Sequence, residues 1–172
     1  MKKLYLAASF AALLAASPVF ADSNHNSSTI DQIGFGNDTK VTQEGVYNYN
    51  TSTVKQGTTT DRAYFSDVEV KQDGSYNSNY SAIDQVDTGN SATVKQGGYG
   101  NSNFSSITQD GGFFAGNDAK VTQDGDHNIN TSYITQDGSK NDATVKQGGS
   151  YNVNGSSINQ TGAYLSATVS QH

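Results

Sequence analysis

One aliphatic residue recurs along this chain at a fixed distance from one amide. Isoleucine or valine stands two residues before every glutamine: Ile30, Val41, Val54, Val70, Ile83, Val94, Ile107, Val121, Ile134, Val145, Ile158 and Val169. The glutamines themselves are Gln32, Gln43, Gln56, Gln72, Gln85, Gln96, Gln109, Gln123, Gln136, Gln147, Gln160 and Gln171. Every second step between them is 13 residues, and the others are 11, apart from two lengthened by five and three. The odd-numbered glutamines each close the segment Asn-x-Ser-x-[Ile/Val]-x-Gln, which begins at Asn26, Asn50, Asn79, Asn103, Asn130 and Asn154. The even-numbered ones mostly close Asn-x-[Ala/Thr]-x-Val-x-Gln, with departures at Ser66, Val68 and Leu165. Alternation over seven residues predicts a β-strand whose regular, uncharged residues share one face. The other face carries Asp, Lys, Glu, Thr and Tyr in no fixed order, so the regular face is the inner one.

Turns are expected after each glutamine. Glycine recurs two residues on, as at Gly98 and Gly138, and asparagine commonly follows at the fifth position. Glycine supplies the positive φ that a tight reversal needs, and asparagine tolerates it best among the rest. The predicted unit is strand, turn, strand, turn, with a basic length of 24 residues. Six such units fill about 26–49, 50–78, 79–102, 103–129, 130–153 and 154–172. Both lengthened steps, Thr58 to Phe65 and Gly112 to Gly116, fall in turns within a unit, where a solenoid tolerates them.

A single unit cannot bury its own inner face, but stacked copies can. The expected fold is all-β, a β-solenoid of six strand-turn-strand repeats forming two parallel in-register sheets of cross-β type. Each Gln then lies over a Gln and each Asn over an Asn, about 4.8 Å apart. A primary amide both donates and accepts, so a column of them satisfies itself, whereas a lone buried amide costs about 1–3 kcal/mol. Ile and Val form the apolar column, and a one-residue slip would turn all of these side chains outward. The chain shows no cap for either end of the stack, and uncapped, complementary ends generate a filament.

Composition alone points away from an oily core. Leu, Ile, Val and Phe make up only 31 of 172 residues, a level typical of disorder, and there is no cysteine to add disulfides. The repeat grid is what argues for order. Residues 1–21 read as a secretory signal peptide: Lys2 and Lys3, an apolar run from Leu4 to Ala16, and a small-residue cleavage site at Val19-Phe20-Ala21. Residues 22–25 then form a short leader, and no second apolar run suggests a transmembrane segment. Without Lys2 and Lys3 the chain holds eight basic and sixteen acidic residues, which argues against nucleic acid and anionic membranes as partners.

The spacing Gln-x4-Asn-x-Ala-x3-Gln resembles the curlin repeat, Ser-x5-Gln-x-Gly-x2-Asn-x-Ala-x3-Gln. It stands here as Gln136, Gly138, Asn141, Ala143, Gln147 and as Gln85, Asn90, Ala92, Gln96; with its insertion, Gln109, Gly111, Asn117, Ala119, Gln123 fits too. The resemblance runs over residues 26–172. It implies a subunit of curli, the extracellular bacterial amyloid fibres of the biofilm matrix, with roles in adhesion and cell aggregation. It also implies self-association, export through an outer-membrane secretion pore with accessory factors, and a minor curlin nucleator at the cell surface. The acidic charge and regular last unit resemble the major subunit more than the nucleator. Three departures from the family pattern stand out: Asn in place of Ser at the segment start with Ser at the next inward position, six units where five are usual, and an export leader reduced to Asp22-Ser23-Asn24-His25.

No enzyme is expected, because His25, His127 and His172 lie far apart and no grid carboxylate accompanies them. No cofactor is expected either. "GFGND" at Gly34–Asp38 resembles the loops of calcium-binding β-rolls, but those run on a nine-residue period. An ice-binding solenoid would need aligned outward threonines, and here they are scattered among Lys, Asp and Tyr. Asp73, Asp110, Asp124 and Asp137 each follow a glutamine; they read as gatekeepers that repel their copies and slow assembly, with a metal row as the alternative. Aromatic residues four places after a glutamine (Tyr47, Tyr76, His127, Tyr151, Tyr164) offer either an adhesive stripe or ordinary turn packing.

Overall fold

The computed structural model describes residues 24–112 and 115–172. The signal-peptide reading and the first two leader residues lie outside the described residues. Fourteen strands follow in chain order. Sheet I comprises β1 (His25–Gln32), β4 (Tyr49–Gln56), β7 (Ser78–Val86), β9 (Ser102–Gly111), β11 (Ile129–Ser139) and β13 (Val153–Ala163). Sheet II comprises β3 (Asp38–Gln43), β6 (Asp67–Gln72), β8 (Ser91–Gln96), β10 (Asp118–Gln123), β12 (Asp142–Gln147) and β14 (Ser166–Gln171). The remaining two, β2 (Gly34–Phe35) and β5 (Ala63–Tyr64), form a short parallel pair beside the first insertion.

Every pairing within the two sheets is parallel and in register. Gln32 lies beside Gln56, Gln56 beside Gln85, and so on to Gln136 beside Gln160. In sheet II the row runs from Gln43 through Gln72, Gln96, Gln123 and Gln147 to Gln171. The chain is a β-solenoid of six turns, and no described residue is helical. Period-two alternation produces this result because each strand has one dry and one wet face: β4 and β7 alternate exposed or intermediate with buried along almost their whole length.

The dry layer between the sheets is thin and mixed. Its apolar part is the Ile/Val column of each sheet, joined in sheet II by Ala92, Ala119 and Ala143. Val54, Val70, Val94, Val121 and Val145 are wholly buried, while Ile30, Val41 and Val169 on the outermost strands are only partly covered. Full burial of each contributes about 1.5–3 kcal/mol. The layer otherwise consists of amides and hydroxyls.

Candidate self-assembly surface

The amides form three continuous columns within the strands. In sheet I, Gln32 Nε2 donates to Gln56 Oε1 at 2.6 Å, and the chain of bonds continues through Gln85, Gln109 and Gln136 to Gln160 at 2.7–3.1 Å. In sheet II the same relation links Gln43, Gln72, Gln96, Gln123, Gln147 and Gln171 at 2.8–2.9 Å. Asn26, Asn50, Asn79, Asn103, Asn130 and Asn154 form the third column at 2.9–3.0 Å. Its direction is reversed. Each glutamine donates toward the C-terminal end of the stack, and each of these asparagines donates toward the N-terminal end.

The second N–H of every glutamine after Gln32 fixes that direction. Gln56 Nε2 also donates to the Ser66 carbonyl, Gln72 to Thr51, Gln96 to Tyr80, and Gln136 to Asp118. A carbonyl can only accept, so the nitrogen of the amide must face it. These bonds cross from one sheet to the other. They tie the two layers together where a wholly apolar interface would rely on packing alone.

Two further columns occupy the turns. Asn48, Asn77, Asn101 and Asn128 are buried, and each accepts from the backbone N–H of its counterpart in the next turn, from Asn24 through to Asn152. Asn101 shows the pattern in full: Nδ2 donates to the Gly97 and Gly125 carbonyls, both at 2.7 Å, while Oδ1 accepts from Asn128 N–H at 2.8 Å. The other turn edge repeats this at Asn90, Asn117 and Asn141, interrupted at Ser66 and ended by Leu165. From the sequence these asparagines are expected to be residues tolerant of positive φ. The positive φ falls one residue earlier, on Tyr47, Tyr76, His127, Lys140, Tyr151 and Tyr164, at 53–60°. The signal was present in the fixed distance of five residues after glutamine.

The serines of the sheet I segments are less well served. Ser52, Ser81 and Ser105 are buried, and their hydroxyls, with that of Ser28, find no partner. Each sits where an aliphatic would add contact and leave no polar group unpaired.

The four aspartates do not form one row. Asp110 and Asp137 are neighbours in sheet I, whereas Asp73 and Asp124 lie on the opposite edge with Gly97 between their levels. Asp73 pairs with Lys71 at 2.6 Å, and Asp124 caps the N–H of Gly125 at 2.8 Å. The Asp73 hydrogen bond holds the Lys71 ammonium above its usual range. Burial, then the neighbouring Asp87 and Asp137, push the Asp110 carboxyl up. Asp118 is raised likewise, by burial and then by Asp142. Among the described residues, no group of three or more His, Asp or Glu is placed to hold a metal ion.

Aromatic rings line the turn edge that bears the unbroken asparagine column. Tyr47 stacks on Tyr76 at 5.0 Å and His127 on Tyr151 at 5.0 Å. At the level between, Gly100 takes the positive-φ position and Tyr99, one residue earlier, supplies the ring, 5.4 Å from Tyr76 and 5.3 Å from His127. A ring is thus present at each of five successive levels. Tyr164 belongs to the other edge, with the Lys140 ammonium over it.

The stack, its amide columns and its spacing decide the comparison with known proteins. Residues 115–149 match the curlin associated repeat. The match spans 35 of 172 residues and covers β10, β11 and β12. It supports the curlin family and, with the solenoid, a structural rather than a catalytic protein. Neither a curated protein nor a solved structure matches the chain.

Proposed function

We propose that this curlin-type chain is a secreted structural subunit that self-assembles, end on end, into extracellular cross-β fibres of the biofilm matrix. The observation that carries the reading is the state of the two end faces. Among the described residues, the Oε1 atoms of Gln32 and Gln43 accept no hydrogen bond. At the other end, Gln160 and Gln171 each use only one of their two amide N–H groups. The asparagine column is complementary in the opposite sense, with a spare donor on Asn26 and a free Oδ1 on Asn154. A second copy docked head to tail continues all three columns, adding about 29 Å per subunit at ~4.8 Å per level. Such a heterologous contact does not close on itself.

Asp73, Asp110, Asp124 and Asp137 act here as brakes on assembly, strongest where Asp110 and Asp137 are neighbours. Export through an outer-membrane pore and initiation by a minor nucleator subunit fit the same role. The regular last unit and the acidic balance favour the fibre-forming subunit over the nucleator. The test is to incubate the purified chain without its signal peptide, free of calcium, and follow thioflavin fluorescence and then fibre diffraction. A reflection near 4.7–4.8 Å along the fibre axis is expected. A folded, soluble monomer overturns the reading, and folding that requires calcium favours the β-roll.

A further inference from the structure

The two outer faces of the solenoid differ in charge. Sheet II carries charged side chains on five of its six strands, including the centre of the face at Lys40, Glu69 and Lys120. Sheet I carries charge only along the margin beside the turns within a unit, at Asp31, Lys55, Asp84, Asp110 and Asp137. The rest of its outer face is Ser, Thr, Gly, Asn159, His25, aromatic and aliphatic residues. Tyr49, Ile129, Tyr133 and Val153 are exposed there, at 60%, 52%, 49% and 80%. Tyr80, Phe104 and Tyr133 form a ring column across its middle, with centroids 5.1 and 5.4 Å apart.

We infer that the outer face of sheet I is a lateral docking surface for the same face of a second copy, so that filaments pair through sheet I and leave sheet II in solvent. This rests on the fibre reading above. The geometry supports a second copy as the occupant for three reasons. The face is regular, because its strands are parallel and in register at every level and present the same outward positions at one spacing, and sheets stack face to face at about 10 Å. Its centre is free of charge while its margin is charged, the arrangement of a protein interface with a dry core and a polar rim. Its size is sufficient: six levels at ~4.8 Å by about 20 Å of strand gives roughly 600 Å² per partner, or about 1,200 Å² in all, the lower bound for a stable interface. In a filament that contact recurs with every subunit, and its strength grows with length. Pairing through sheet II would instead bring rows of Lys and Asp together without water.

Lysine at Thr131 and Tyr133, in the middle of the face, tests the inference, with Thr144→Lys in the middle of sheet II as the control. Filament mass per unit length is measured by electron scattering on unstained fibres. Wild type and Thr144→Lys are expected to give the same paired value. Thr131→Lys/Tyr133→Lys is expected to fall about twofold, to single filaments that retain the 4.7–4.8 Å reflection. An unchanged mass per length in the double variant, or an equal drop in the control, overturns the inference. Should the double variant fail to assemble, Val153→Lys, on the most exposed large apolar residue of the face, is read in the same way. If wild type itself stays soluble and folded, the fibre reading fails. The pairing is then read by sedimentation, as a wild-type dimer that the double variant reduces to monomer; a wild-type monomer overturns it.

Discussion

The two turn edges of the solenoid carry out the same reversal with different strictness. The edge between units has five turns of equal length, an unbroken asparagine column from Asn24 to Asn152, and a ring at each level. The edge within units takes both insertions, loses its asparagine at Ser66 and Leu165, and mixes Gly89, Lys140 and Tyr164 at the positive-φ position. One edge therefore acts as a ruler for the stack, and the other absorbs variation. The same strands flank both edges, so the strands alone do not set this difference.

Alanine at one glycine of each edge gives the sharpest contrast. At Gly98 (φ 88°) a methyl group would stand 2.0 Å from the Gly125 carbonyl oxygen of the next level, a backbone atom that cannot move aside. At Gly89 (φ 75°) the nearest atom is 3.3 Å away. Gly98→Ala is expected to cost about 3 kcal/mol or more, combining positive-φ strain with overpacking, against about 1–2 kcal/mol for Gly89→Ala. Denaturant midpoints of the folded solenoid measure both, and equal losses would remove the distinction between the edges.

Asn101→Ala follows in size. It strips the last partner from no fewer than one buried group, the Asn128 N–H, and removes two donated bonds; the expected loss is about 2–3 kcal/mol. Asn90→Ala, next to the break at Ser66, is expected to cost less in the same assay.

The inner layer provides a smaller test, of opposite sign. Ser81→Ala removes a buried hydroxyl that has no partner, so it is expected to be neutral or to stabilise by up to about 1 kcal/mol. A loss of more than that would mean that the hydroxyl is bonded in solution.

The smallest effect is electrostatic. Asp110 has its folded pKa raised, so the folded state binds its proton more tightly than the unfolded chain does. The stabilisation is full below the ordinary carboxylate range and is lost as pH rises through the raised value. Asp110→Asn is expected to flatten that slope and shorten the assembly lag at neutral pH, with the lag at acidic pH unchanged.

How much of this the sequence discloses depends on whether a residue's role repeats. The strands, their faces and their register follow from Gln136 and Gln147 and their copies, because period-two alternation and self-matching amides leave one arrangement. The turn asparagines are visible in the sequence, but their role is not. Asn101 in a glycine-rich turn looks like a residue suited to positive φ, and only the packed structure shows its side chain turned inward, bridging its own level and the next. The aromatic rings at positive φ run against local preference, so no propensity argument finds them. The substitution of Tyr99 for a ring at Gly100 is invisible until both are seen to reach one column. The division of the four aspartates between two edges likewise depends on which face each turn presents, not on their common distance from glutamine.

The opposed amide columns have an electrical consequence. Each glutamine column is a line of aligned side-chain dipoles, and two such lines point the same way along the stack. The asparagine column of sheet I points the other way and offsets part of their sum at every level. The partial charge left at each end of a fibre is therefore smaller than the glutamines alone would leave, and it does not grow as the fibre lengthens. The polarity that tells an incoming subunit which way to face is thus read chiefly in local contacts, with a long-range field that the asparagine column reduces.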